Sequence, residues 1–253
     1  MGMVLLTALG VGGATIIGAA LGVIFKKISH RFSDVVLSFA AGVMLAAAVL
    51  GLILPSLEYG GDWGILTTVA GIFVGALALN LIDKAVPHLH RMVGTDIEDH
   101  EGNGKISKVL LFVTAIAIHN LPEGIAAGVS FGTGNNVEAL TVAGGIALQN
   151  IPEGAILSLP LYADGMKRVK AYAIGALSGI VEPIATLLTA WLITSPPNSV
   201  VALPYLLAFA AGAMMYVVVE ELIPESQAEP HSNLPTLGFT VGFVLMMILD
   251  CAV

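Results

Sequence analysis

The sequence predicts an all-α polytopic membrane protein of eight transmembrane helices, and three observations predict it. Of its 253 residues, 57% are hydrophobic and only 11% are charged, whereas about a quarter of a soluble domain's residues carry charge. Apolar runs of the roughly 20 residues needed to cross the hydrocarbon recur between breaker clusters. The ten basic residues are confined to alternate connections between those runs. Length leaves room for about eight crossings with short links, so 1–253 reads as a single transmembrane domain. A lone cysteine, Cys251, excludes an intramolecular disulfide, and a net charge of −8 without a basic stripe argues against nucleic acid.

The expected spans are 3–25, 34–55, 63–82, 108–130, 137–162, 170–194, 200–223 and 236–253. The first lacks a basic leader and outlasts a signal-peptide core, so it reads as a true span. Asp34 is the expected N-cap of the second. Lys26, Lys27 and Arg31 follow the first span, Lys84, Arg91, Lys105 and Lys108 lie around the third connection, and Lys167, Arg168 and Lys170 follow the fifth span. The positive-inside bias makes those connections cytoplasmic. Both termini then face outward, as do the links Glu58–Asp62, Phe131–Glu138 and Ser195–Ser199.

Two internal likenesses run through these spans. Phe39-Ala40-Ala41-Gly42-Val43-Met44 matches Phe209-Ala210-Ala211-Gly212-Ala213-Met214, and the apolar runs that follow end at Pro55 and Pro224. His119-Asn120-Leu121-Pro122-Glu123-Gly124 matches Gln149-Asn150-Ile151-Pro152-Glu153-Gly154. Each pair falls on antiparallel spans. Inverted repeats of this kind occur in secondary transporters that bind cargo near the midplane. The expected division is a repeat of 1–82 and 170–253 around the pair 108–162, with a cytoplasmic loop at 83–107.

Glu123, Glu153 and Glu182 all fall at membrane depth, where a lone carboxylate costs several kcal/mol. No Lys or Arg occupies the interior of a span, so protons or cations must neutralise them. With His119 at zero, helical geometry turns Asn120 to about 100° and Glu123 to about 40°. Glu123 therefore projects between them and can bridge two ions. Facing helices offer one site of His119, Glu123, Gln149 and Glu153, and a second of Asn120, Glu123, Asn150 and Glu153 with Glu182 closing it. Pro122 and Pro152 should kink both helices and free the carbonyls of Ile118 and Leu148 to line a polar passage. One imidazole among carboxylate and amide oxygens suits Zn²⁺, Fe²⁺, Mn²⁺ or Co²⁺ better than Ca²⁺ or Cu⁺.

These paired motifs, across essentially the whole chain, resemble the ZIP (Zrt/Irt-like) family of divalent metal transporters, in its GufA-type bacterial branch. The resemblance implies a 3+2+3 arrangement with outward termini, a binuclear metal centre between the fourth and fifth helices, and uptake into the cytoplasm by an elevator-like slide. Its principal site is His119, Glu123, Gln149 and Glu153 with Met44 as a softer ligand. Its accessory site is Asn120, Glu123, Asn150, Glu153 and Glu182. The cargo implied is zinc foremost, with Fe²⁺, Mn²⁺, Co²⁺ and Cd²⁺ accepted by the same ligands. The setting implied is the cell (inner) membrane, the partners being the cations and the bilayer, with homodimer formation left open.

Further candidates flank the path. Glu58 stands where an outer entrance is expected, Asp250 is either an entrance residue or an interfacial anchor, and Glu220 and Glu221 stand where an ion would leave, unless they mark a solvated helix end. His88 and His90 fall in the longest loop, a metal-collecting segment or a solvated linker. Met214 and Met215 read as packing. An enzyme is not expected: His-Glu-x-x-His is absent, and Ser130 and Ser158 lack a histidine base unless His119 serves. A proton-coupled carrier of another solute would leave the Asn and Gln partners without a role.

Overall fold

A computed structural model describes residues 1–25, 29–85, 118–195, 199–227 and 233–252. The described residues are helical, without strands. Helix α1 is Gly2–Ile24. Helix α2 runs from His30 to Tyr59, and α3 is Gly64–Ala85. The described part of α4 covers 118–129, followed by a 3₁₀ turn at Ser130–Thr133. Helix α5 is Asn136–Ala163. Helix α6 comes in two pieces, Arg168–Ser178 and Val181–Thr194. Helix α7 begins at Ser199 and ends at Ser226, and α8 is Leu234–Cys251. The loop holding His88, His90, Arg91, Lys105 and Lys108, together with Lys26, Lys27 and the start of the fourth span, lies outside the described residues.

Among the described residues, six helices are long and apolar enough to cross a membrane: α1, α2, α3, α6, α7 and α8. Helix α5, at 28 residues, has the length, but Gln149, Asn150 and Glu153 lower its hydropathy. The outward faces of the six carry large exposed side chains such as Leu6, Leu66, Phe73, Leu188 and Val241. Apolar residues facing out on helices of this length are what lipid requires, and the protein is a multi-pass membrane protein.

Helix α1 packs on α5 and α6, α2 on α8 and α5, and α3 on α7. Small residues allow these backbones to close, as expected where lipid removes any hydrophobic drive between helices. A Cβ on Gly42 would strike the Phe239 carbonyl of α8, and one on Gly242 the Phe39 carbonyl of α2. The α3–α7 contact is made the same way, with Gly212 against the Ile72 carbonyl and Gly75 against that of Phe209. The core between the pairs holds Met44, Ile146, Leu207, Met214 and Met246, all fully buried.

Three local features depart from the expected spans. The α2 N-cap is Ser29 rather than Asp34, with its side chain accepting from Phe32 N; the helix starts one turn earlier because Ser is an equally good cap. Helices α2 and α7 each widen into a π turn, at Val49–Ile53 and Val218–Leu222, just before Pro55 and Pro224. A proline cannot donate and crowds the carbonyl four residues back, and the extra residue of a π turn relieves both. Helix α6 breaks at Gly179–Ile180, placing Pro183 in the first turn of the second piece, where a missing N–H costs nothing. Helix α5, by contrast, runs on through Pro152 and Pro160.

Candidate metal centre

Helices α4, α5 and α6 bring the paired motifs together. His119, Glu123 and Glu153 each present a ligand atom, all within 4.8 Å of one another. Gln149 Nε2 donates to Glu123 Oε1 at 2.9 Å. Within this group only His119 can carry positive charge. Glu123 and Gln149 are fully buried and Glu153 is 7% exposed, yet Glu123 Oε2, Gln149 Oε1 and Glu153 Oε1 have no hydrogen-bond partner. Three bare oxygens in a buried cluster are an unusual concentration of an expensive defect, since an unmet buried acceptor costs about 1–3 kcal/mol. Bare carboxylate and amide oxygens are donors of the kind that divalent cations take.

The imidazole lies between two carboxylates. His119 Nδ1 lies 2.9 Å from Glu221 Oε2, and Nε2 lies 3.7 Å from Glu153 Oε2. With Nδ1–H donating to Glu221, the Nε2 lone pair faces the cluster, the arrangement common to metal-binding histidines. Glu221 reaches inward from the π turn of α7 rather than marking a solvated helix end. Glu220 beside it is exposed.

The second group centres on Glu182. This carboxylate is fully buried and begins the second piece of α6, where helix N-terminal amides favour an anion. Asn120 Nδ2 donates to Glu182 Oε1 at 3.1 Å and to the Ser178 carbonyl, freed at the α6 break, at 3.0 Å. Asn150 Nδ2 donates to Glu182 Oε2, leaving Asn150 Oδ1 without a partner. Backbones meet closely here, because a Cβ on Gly124 would strike the Glu182 carbonyl.

Met44 is fully buried on α2, whose neighbours include α5. Glu58 is exposed and Asp250 half-buried, and neither belongs to the group formed by His119, Glu123 and Glu153. Asp250 lies close enough to Glu138 to feel its charge. Thr15 was hidden in the apolar run of α1, and its hydroxyl donates to Glu182 Oε1 at 2.7 Å.

The family model described as ZIP Zinc transporter matches residues 94–250, the stretch that supplies both motifs, Glu182 and Glu221. Zinc transporter ZIPB of Bordetella bronchiseptica is 36% identical over 247 residues, covering 94% of this chain and 77% of that protein. Zinc transporter ZupT of Enterobacter sp. (strain 638) is 34% identical over 249 residues, covering 97% and 95%. Zinc transporter GufA of Myxococcus xanthus is 41% identical over 167 residues, covering 65% of this chain and 63% of its own length. A family model matching more than half of the chain and likeness running nearly end to end make this chain a member of the ZIP family.

Proposed function

We propose that the protein carries divalent transition metal, zinc foremost, into the cytoplasm through the cluster between α4 and α5. The observation that carries this reading is the trio of bare buried oxygens, Glu123 Oε2, Gln149 Oε1 and Glu153 Oε1, beside an imidazole whose Nδ1 is held by Glu221 and whose Nε2 faces Glu153. His119, Glu123, Gln149 and Glu153 form the principal site, with Met44 a softer ligand from α2. Asn120, Asn150 and Glu182 form a second site that shares Glu123 and Glu153, making the centre binuclear. The amides are weaker ligands than imidazole or thiolate, which suits a site that must release its ion. The same donor set accepts Fe²⁺, Mn²⁺, Co²⁺ and Cd²⁺.

Eight spans in a 3+2+3 order, with outward termini in the cell (inner) membrane, complete the reading. The like packing of α2 on α8 and α7 on α3 through reciprocal glycines supports two inverted repeats flanking α4 and α5. Glu58 and Asp250 then draw ions to the outer mouth, and Glu221 and Glu220 receive them on the inner side. Transport rather than catalysis is the activity, and a homodimer is compatible with it.

Zinc flux into proteoliposomes tests the proposal. Glu123→Ala and Glu153→Ala should each abolish uptake while the purified protein elutes as the native one does; native flux in either variant defeats the assignment.

A further inference from the structure

Thr15 has no part in the transport reading, yet its hydroxyl is bound to a carboxylate of the second site. Thr15 Oγ1 donates to Glu182 Oε1 at 2.7 Å across 167 residues of sequence, and Thr15 is only 2% exposed. The same oxygen accepts from Asn120 Nδ2 at 3.1 Å, so both lone-pair directions of Oε1 are taken. The other oxygen, Oε2, receives Asn150 Nδ2, whose own Oδ1 is bare. The carboxylate is thus asymmetric, with one oxygen locked by α1 and α4 and the other turned toward Asn150.

The hydroxyl is delivered there by close packing. A Cβ on Gly154 would strike the Thr15 carbonyl, and one on Gly179 would strike the Thr15 Cβ. Gly154 follows Glu153 in the α5 motif, and Gly179 lies at the α6 break just before Glu182. Helix α1 is therefore seated on both segments that hold the second site. One turn earlier on the same helix, the Val11 carbonyl accepts from Asn150 Nδ2 at 3.3 Å. Two groups of α1 thus bear on Glu182, one directly and one through its partner Asn150.

We infer that Thr15 is a positioning residue of the second ion site: its hydroxyl pins Glu182 Oε1 so that Oε2 alone turns toward a divalent cation shared with Asn150 Oδ1. When a cation enters, Asn150 withdraws its Nδ2 from Oε2 toward Val11 and presents its oxygen. Thr15 and Asn120 meanwhile keep the carboxylate in place. The inference rests on the transport reading above, and the experiment separates the two.

Zn²⁺ binding to the purified full chain, by equilibrium dialysis, and Zn²⁺ flux in proteoliposomes are measured for five variants: Thr15→Val, Thr15→Ser, Glu182→Ala, the double variant Thr15→Val/Glu182→Ala, and Glu123→Ala. Thr15→Val keeps the shape and removes the hydroxyl, and Thr15→Ser keeps the hydroxyl. Partners behind a metal ligand typically change affinity about 10-fold or more, so Thr15→Val should raise the zinc concentration for half-maximal flux by about that factor, with a smaller change in maximal flux. Thr15→Ser should restore the native value. In a Glu182→Ala background, where the hydroxyl has no carboxylate to hold, Thr15→Val should leave the remaining zinc affinity unchanged. A native half-maximal concentration in Thr15→Val, or an equal loss in both backgrounds, assigns Thr15 to packing and overturns the inference. Glu123→Ala, run alongside, reads the transport centre itself: native flux there removes the centre, whereas lost flux there with a native Thr15→Val removes only the role of Thr15.

Discussion

Glu221 lies 2.9 Å from His119 Nδ1, although 102 residues separate them in sequence. The contact joins the π turn of α7 to the first described turn of α4, and so ties the imidazole to a helix that packs on α3 rather than on the α5 motif. Removing it frees the ring to rotate and to exchange tautomers. Glu221→Ala should therefore weaken zinc binding by about 10-fold or more, as loss of a histidine's carboxylate partner typically does. Glu221→Gln, which still offers an oxygen to Nδ1–H, should retain most of the affinity. Zinc titration of the purified variants checks this; equal affinities for Glu221→Ala and the native protein contradict it.

Gln149 sets the release side of the balance. Its amide donates to Glu123 Oε1 and leaves its own oxygen bare toward the cluster. Gln149→His replaces a weak oxygen ligand by an imidazole, which zinc prefers. Zinc should bind several-fold more tightly while maximal flux falls, because tighter holding slows departure. Flux curves at graded zinc concentrations separate the two effects, and a variant with raised maximal flux and unchanged affinity argues against Gln149 as a ligand.

Much of this centre was legible from spacing. His119 and Glu123 are four residues apart, Gln149 and Glu153 likewise, and that interval puts both members of a pair on one helical face. The hydrogen bond from Gln149 to Glu123 follows from two such faces meeting. Glu221 was less legible because Glu220-Glu221 at a helix end has the composition of a solvated terminus, and only the extra residue of a π turn sends Glu221 inward. Thr15 was illegible because a threonine in an apolar run ordinarily bonds its own backbone. The break in α6 was half visible: Pro183 announces an interruption, but nothing in the sequence says that Asn120 will meet the carbonyl freed at Ser178.

The reciprocal glycine contacts give a stability prediction. At Gly212 a Cβ would meet the carbonyl, C and Cα of Ile72, backbone atoms that cannot rotate aside. Gly212→Ala should destabilise the protein by about 1–3 kcal/mol, the usual cost of overpacking. Gly144, also helical, has no neighbour within 4 Å of such a Cβ, so Gly144→Ala should be neutral or stabilise by up to about 1 kcal/mol through helix propensity. Thermal unfolding of the solubilised proteins distinguishes them. A higher midpoint for Gly212→Ala than for Gly144→Ala would show that α3 and α7 can separate without loss.

Zinc binding should weaken as pH falls, with protons as the competitor. A carboxylate must be ionised and an imidazole nitrogen bare before either can coordinate, so the free cluster holds protons that the loaded cluster has shed. The sign follows from linkage: the state that binds more protons is favoured by acid, and here that is the metal-free state. The buried setting strengthens the effect, because Glu123 and Glu182 are fully buried and a buried ionised carboxylate without a counter-ion is costly. Calorimetric titration in buffers of different ionisation enthalpy counts the protons released per zinc. At least about one should leave per ion near neutral pH, and Glu123→Gln should lower the count along with the affinity. Zinc affinity that stays constant between about pH 5.5 and 7.5, with no proton release, is incompatible with coordination by these carboxylates and His119.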